Sequence, residues 1–275
     1  MQYVKIPPPG TFCFYEAVSD MLDLANRKLG MNKITRFVEV GCGAGDLSAR
    51  MLERGYKGMG VDFSSNAIAI AAENLKLPIA DGRYQLLEGD VMQPENVDKC
   101  RKTFDLAMSM MVMEHVDDDL QFIKNLMELT LPGGMVMLAV PGRMDCWGIE
   151  DDTVGHLRRY ENYDLQRVMQ NAGLKDVTVW SVAVPSANVL FRLGNFLVRR
   201  SAEVQKINTS MREQTELSGI REIPFKTVFP TWCKLILNRV TLYPLFVIQR
   251  LFYRTNLGLT MLAVGRVTSL EKSST

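Results

Sequence analysis

The sequence predicts an α/β protein built on a parallel sheet with helices on both faces. Two observations carry this. Between residues 36 and 183, short apolar runs alternate with stretches whose apolar residues recur at helical spacing. The first of these runs, Arg36 to Val40, also passes straight into three glycines at alternate positions, Gly41, Gly43 and Gly45. Lacking a Cβ, such a turn leaves a strand sharply and lays its backbone amides against a ligand, which implies a nucleotide-like cofactor.

The elements follow in order. After Pro7-Pro8-Pro9-Gly10, Thr11 is placed to cap a helix whose Phe14, Val18, Leu22, Ala25 and Leu29 fall near one face, and Gly30 stops it. That helix is a candidate cover for the cofactor. Strands are predicted at Arg36 to Val40, up to Gly60-Val61-Asp62-Phe63, at Tyr84 to Asp90, Phe104 to Met111, Met135 to Val140 and Leu174 to Val182. Helices fall between them at Leu47 to Arg54, Asn66 to Leu75 (with Ser64 or Ser65 as cap), near Glu95 to Cys100, at Leu120 to Leu129, and at Tyr163 to Ala172, ended by Gly173. Ligands of such sheets sit beyond the carboxyl ends of the strands, where Gly41, Asp62, Asp90 and Met110 all fall.

The glycine spacing separates cofactor classes. Dinucleotide enzymes carry G-x-G-x-x-G, and the third glycine position is here Asp46. No Tyr-x-x-x-Lys suggests hydride transfer, and no N/D-P-P-Y/F tetrapeptide follows the fourth strand as in nucleic-acid methylation, so no nucleic-acid partner is expected. Glu39-x-Gly41-x-Gly43-x-Gly45 resembles motif I of the class I S-adenosylmethionine-dependent methyltransferases. Val112-Met113-Glu114-His115-Val116-Asp117 resembles that family's LEHV-D segment, and Leu131-Pro132-Gly133-Gly134 its L-x-P-G-G signature. With Asp62, 17 residues past Gly45, and Asp90 after the third strand, five motifs stand in register.

The resemblance implies a Rossmann-like seven-stranded sheet with an antiparallel last strand, here Leu259 to Val267, and S-adenosylmethionine as cofactor. It implies that Asp62 accepts the ribose hydroxyls and Asp90 the adenine amino group. Cofactor contacts are expected from Glu39, Gly41, Cys42, Gly43, Gly45, Asp62, Phe63, Asp90, Val91, Met110 and His115. Small-residue packing is the alternative for Cys42, loop packing for His115, and helix capping for Asp62.

The chain departs from the family in the stretch of about 75 residues between the sixth and seventh strands, a helical insert. Val189, Leu190, Leu193, Phe196 and Leu197 share one helical face; Trp232, Leu235, Ile236, Val240 and Tyr243 share another before Pro244 interrupts, and a further helix is predicted from Leu245 to Tyr253. Residues 201 to 221 are polar and are predicted to be the most mobile part. The insert, residues 186–257, has net charge +7, leaving −6 for the remainder. It is either a solvated cap or the part that meets an anionic or lipid-like acceptor, or a membrane surface. The expected organisation is therefore 1–35 as an N-terminal cap helix, 36–185 with 258–275 as the cofactor-binding core, and 186–257 as a basic lid.

Methyl transfer from a sulfonium is an in-line displacement, helped chiefly by alignment and, for a protonated nucleophile, by a base. Gly155-His156-Leu157-Arg158-Arg159-Tyr160 resembles the GH-x-RRY segment of small-molecule and glycan-cluster methyltransferases. His156, with Glu150, Asp151 and Asp152 as carboxylate candidates, is the expected base, or else a cap for the helix near Asn162. At most one of Arg158 and Arg159 is expected to meet an anionic substrate, the other being solvated. The acceptor is a small molecule, with oxygen, nitrogen or carbon open as the receiving atom; a noncatalytic subunit that retains the fold is the alternative. Five cysteines without a C-x-x-C pair argue against a disulfide framework or a metal site, and with no signal peptide or long apolar run the expected location is cytoplasmic. The oligomeric state is left open.

Overall fold

The computed structural model describes residues 3–30, 33–200 and 228–268. In chain order the elements are β1 (Tyr3–Lys5), α1 (Pro9–Leu29), β2 (Arg36–Val40), α2 (Asp46–Glu53), β3 (Lys57–Asp62), α3 (Ser65–Asn74), α4 (Lys76–Ala80), β4 (Tyr84–Glu88), α5 (Pro94–Asp98) and β5 (Phe104–Met110). There follow α6 (Asp119–Leu129), β6 (Thr130–Pro141), α7 (Ile149–Val154), α8 (Asn162–Ala172), β7 (Lys175–Val182), α9 (Ser186–Arg199), β8 (Val228–Pro230), α10 (Arg239–Arg250) and β9 (Thr260–Arg266). The stretch 201–221 lies outside the described residues.

Seven strands form one sheet in the order β4-β3-β2-β5-β6-β9-β7, the number that was expected. β2 through β6 pair in parallel, with Val40 opposite Val61 on one side and Ser109 on the other. The strand order reverses between β2 and β5, which makes the end of β2 the switch point. β9 runs antiparallel to β6: Gly133 and Gly134 exchange backbone bonds with Val267 at one end, while Gly142 donates to Leu259 at the other. Phe37, Val38, Leu106, Ala107, Met108 and Met135 to Val140 are all buried, as strands covered on both faces must be.

The chain divides into two compact units. One comprises residues 21–140, 163–178 and 263–275 and holds all the parallel strands from β2 to β5; the other comprises 1–20, 141–162 and 179–262. In the second of these, β1 pairs antiparallel with β8, Val4 opposite Phe229, a two-stranded ribbon that the sequence reading did not contain. Cys13 packs with Leu242 and Phe246 of α10. The buried Gln249 amide donates to Cys13 O (2.6 Å) and accepts from Ala183 N (3.2 Å), while Arg250 makes a two-point ion pair with Asp20.

Three expectations about the helices are corrected. α1 begins at Pro9, not after Thr11, because proline fits a first helical position, where the missing N–H has no partner to lose. The face from Trp232 to Tyr243 is not one helix. A 3-10 turn covers Thr231–Leu235, and α10 starts anew at Asn238, whose side chain accepts from the Val240 and Thr241 amides. α10 then continues through Pro244, because Leu242 and Phe246, buried on either side of the proline, hold it in place.

Candidate cofactor site and proton-transfer loop

In the first unit the chain leaves β2 through a loop pinned to β3. Gly41 N and Cys42 N both donate to Val61 O (2.8 and 3.2 Å), and Gly45 N closes the turn on Cys42 O (2.9 Å). A Cβ on Gly41 would stand 2.2 Å from Val112 Cγ2, whereas one on Gly43 would meet nothing within 4 Å, although both positions have positive φ. Gly41 therefore serves packing, and Gly43 borders the open side on which a ligand can lie.

Asp62, at the tip of β3, is buried. Its Oδ2 accepts from Gly43 N (2.9 Å) and its Oδ1 from Ser64 N (3.0 Å). The helix-capping role falls to Ser64, whose Oγ accepts from Ala67 N, so Asp62 instead organises the glycine loop. Each carboxylate oxygen has a second lone pair, the acceptor capacity that a ribose diol uses. Gly89 N donates to Asp62 O (2.9 Å), which brings Asp90 to the same edge; Asp90 Oδ1 accepts from Met92 N (2.8 Å). Phe63 and Met110 are half-buried and Val91 is buried. Ser109 Oγ donates to Val40 O (2.8 Å), tying the end of β5, and with it Met110, to the switch point. Met111 follows with φ 58°, a strained turn at a strand end where ligands gather. His115 closes a 3-10 turn, Met113–His115, and its N–H donates to Val112 O.

Glu39 points into the core. It is buried, and Ser48 Oγ donates to its Oε2 (2.5 Å) while Tyr84 OH donates to Ser48 Oγ (2.7 Å). Burial pushes its carboxyl up to about 8, against the lowering effect of the Ser48 bond. Burial and the neighbouring Glu39 and Asp62 also push the Cys42 thiol far up, so it is packing rather than a nucleophile. Nothing in the sequence links Ser48 and Tyr84 to Glu39: one lies on α2 and the other on β4, and only the fold brings them together.

The other unit carries the loop with the base candidates. The segment contains a helix, α7, bracketed by Gly148 as its N-cap and Gly155 at φ 75° as its C-cap. Glu150, Asp151 and Asp152 fill its first turn, the sign that suits a helix N-terminus, and with the flanking glycines they are the signal that would have revealed it.

Asp151 is fully buried and accepts from His156 Nδ1 (2.7 Å), Arg159 Nε (2.8 Å), Arg159 Nη2 (2.9 Å) and Gly148 N (2.8 Å). Burial alone would raise its carboxyl, but the bonds from His156, Arg159 and Gly148 outweigh that and hold it at about 2. A carboxylate so held is no base at neutral pH; it positions His156. Arg159 is neither solvated nor turned to a substrate, because its side chain is buried on Asp151 and its Nη1 donates to Gly142 O (2.8 Å). His156 is part-buried, with its Nδ1 on Asp151. Glu150 is half-buried, while Asp152 is exposed and accepts from Trp147 Nε1 (2.9 Å).

The Schizosaccharomyces pombe mitochondrial ubiquinone biosynthesis O-methyltransferase is 33% identical over 109 residues, 39% of this chain and 38% of that protein. The rRNA N(6)-adenosine-methyltransferase metl-5 of Caenorhabditis elegans is 29% identical over 127 residues, 44% of this chain and 58% of that one. The chain thus spans less than two thirds of the length of either. Among solved structures the cyclase SpnF superposes with a TM-score of 0.55 at 15% identity, covering 92% of this chain and 81% of that one, a likeness of fold alone. A family model described as a methyltransferase domain matches residues 13–179, more than half of the chain. With the glycine loop, Asp62 and the strand order in place, the chain belongs to this methyltransferase-domain family, the class I S-adenosylmethionine-dependent methyltransferases.

Proposed function

We propose that the protein methylates a hydroxyl of a small, lipid-like acceptor, with His156 as the base. One observation carries this reading: Asp151, ionised at neutral pH, can only accept, so His156 Nδ1 bears the hydrogen and Nε2 is the nitrogen that receives a proton. Asp151 and Arg159 then act as positioning residues that fix the ring's tautomer and direction. Bound S-adenosylmethionine supplies an electrophilic methyl on its sulfonium. Gly43 and the Asp62 carboxylate would hold its methionine and ribose parts, and the open space at Gly43 and the acceptor capacity of Asp62 fit that group.

Oxygen as the receiving atom is favoured by the relatives named for ubiquinone biosynthesis. A lipid-like acceptor is favoured by the exposed apolar residues of α9 and α10. The five free cysteines suit a reducing compartment such as the cytoplasm.

The test is to incubate the chain with methyl-labelled S-adenosylmethionine and polar and lipid extracts, then identify labelled products by mass spectrometry. Label in an ether of the lipid fraction, lost in His156→Ala, is the expected result. Label on nitrogen or carbon would replace the hydroxyl acceptor, and cofactor binding without turnover on any extract would favour a noncatalytic subunit.

A further inference from the structure

Helix α10 carries apolar side chains on two sides. Leu242, Phe246 and Gln249 are buried, the first two against Cys13. On the other side Val240, Tyr243, Val247 and Leu251 recur at three- and four-residue spacing and are exposed, Val240 at 83% and Leu251 at 79%. The 3-10 turn before the helix adds Trp232 at 54%, Leu235 at 79% and Ile236. α9 has a similar exposed line in Val189, Leu193 and Phe196. A single exposed leucine needs no explanation, but a row of large apolar residues along a helix marks an interaction surface.

Within these two segments the charge has one sign. Residues 186–200 and 228–257 contain seven Arg or Lys and no Asp or Glu. Arg239 and Arg250 pair with Glu16 and Asp20 of α1, while Lys234, Arg254, Arg199 and Arg200 lie exposed. A second copy of this chain would bring like charges together across such a face, whereas an anionic lipid surface complements it. Among the described residues no helix is long and apolar enough to cross a membrane.

We infer that α10 and the turn before it lie in the interface of an anionic bilayer. Val240, Tyr243, Val247 and Leu251 enter the boundary between headgroups and acyl chains, Trp232 sits at headgroup level, and the basic residues take lipid phosphates. The inference concerns where the protein works and holds whichever acceptor is methylated.

The test uses the full chain without S-adenosylmethionine, so its outcome is independent of turnover. Vesicles of phosphatidylcholine containing about one third phosphatidylglycerol should co-sediment the protein, and pure phosphatidylcholine vesicles should retain far less. Raising salt to about 0.5 M should weaken binding without abolishing it. The double variant Val240→Glu with Leu251→Glu changes only exposed positions; it should keep the wild-type melting temperature and lower vesicle partitioning by roughly tenfold or more. Leu77→Glu, exposed at 74% on α4, is the control and should bind as wild type. The inference is overturned if the wild type ignores the anionic vesicles, or if the folded double variant binds them unchanged. It is equally overturned if light scattering shows a dimer that the double variant dissociates, which would assign the face to a second copy.

Discussion

Asp151 Oδ1 lies 2.7 Å from His156 Nδ1, and both Asp151 oxygens are also held by Arg159. The histidine is thus attached to a buried ion pair rather than to a mobile carboxylate, and its direction is set before any acceptor binds. The three side chains lie within nine positions of one another, and Gly148 N and Gly142 O complete the bonds of Asp151 and Arg159.

Replacing His156 separates chemistry from structure. His156→Ala is expected to lower turnover by ~10²-fold or more, with S-adenosylmethionine affinity within a few-fold of wild type by calorimetry. His156→Asn keeps a donor toward Asp151 and should preserve the melting temperature without restoring turnover. Nearly full activity in the Asn variant would leave proton transfer to Glu150 or Asp152, or mean that the acceptor arrives ionised and needs no base.

The Asp151 cluster should be visible in acid stability. Its carboxyl titrates at about 2 in the folded protein against 3.8 ordinarily, so the unfolded chain binds the proton first. The resulting stability, roughly 2–3 kcal/mol, is present above pH 4 and is lost as pH falls toward 2. Asp151→Asn leaves Arg159 buried without its anion and should cost about 3–5 kcal/mol at neutral pH, measured by denaturant melts.

Glu39 has the opposite sign. With its folded carboxyl at about 8, the native state holds a proton that the unfolded chain has released, so this group's stabilisation falls as pH rises from about 4.5 to 8. Glu39→Gln keeps an acceptor for Ser48 and removes the titration. Melting temperature against pH should be flatter in that variant across the window, and an unchanged slope would show that Glu39 is already ionised when folded.

The glycines of the loop should fail differently. Gly41→Ala places a methyl against Val112 in a left-handed backbone and should lose stability. Gly43→Val meets no protein atom within 4 Å of its Cβ; beyond the strain of its φ of 52°, its effect should fall on cofactor affinity. Scanning fluorimetry with and without S-adenosylmethionine separates the two.

Asp62→Ala removes the acceptor for Gly43 N and Ser64 N as well as the proposed ribose contact. Cofactor affinity should fall roughly ten- to a hundredfold. Unchanged affinity in a folded variant would move the ribose elsewhere.

The parallel core was legible because its strands are short, mainly apolar runs separated by turn residues and helical stretches, and because Gly41 to Gly45 and Asp62 mark strand ends by chemistry. What escaped the sequence depends on partners far along the chain or on compensation. Nothing near Glu39 announces Ser48 and Tyr84. Arg159 looks like any surface arginine until Gly148 and Gly155 fold α7 and carry Asp151 inward. Pro244 reads as a break by local rules, and burial of Leu242 and Phe246 overrides them. β1 and β8 are three residues each, too short for any periodicity to register.

The Gln249 amide joins Cys13 and Ala183, so a helix near the start of the sequence is completed by one 236 positions later. During synthesis Cys13 and Phe12 of α1 emerge long before Leu242 and Phe246, against which they pack, have been made. Closing so long a loop is slow, and the uncovered helix is exposed to aggregation throughout. Folding yield should therefore respond to synthesis rate and temperature more than the stability of the finished protein does, and slow expression at low temperature should favour the native chain.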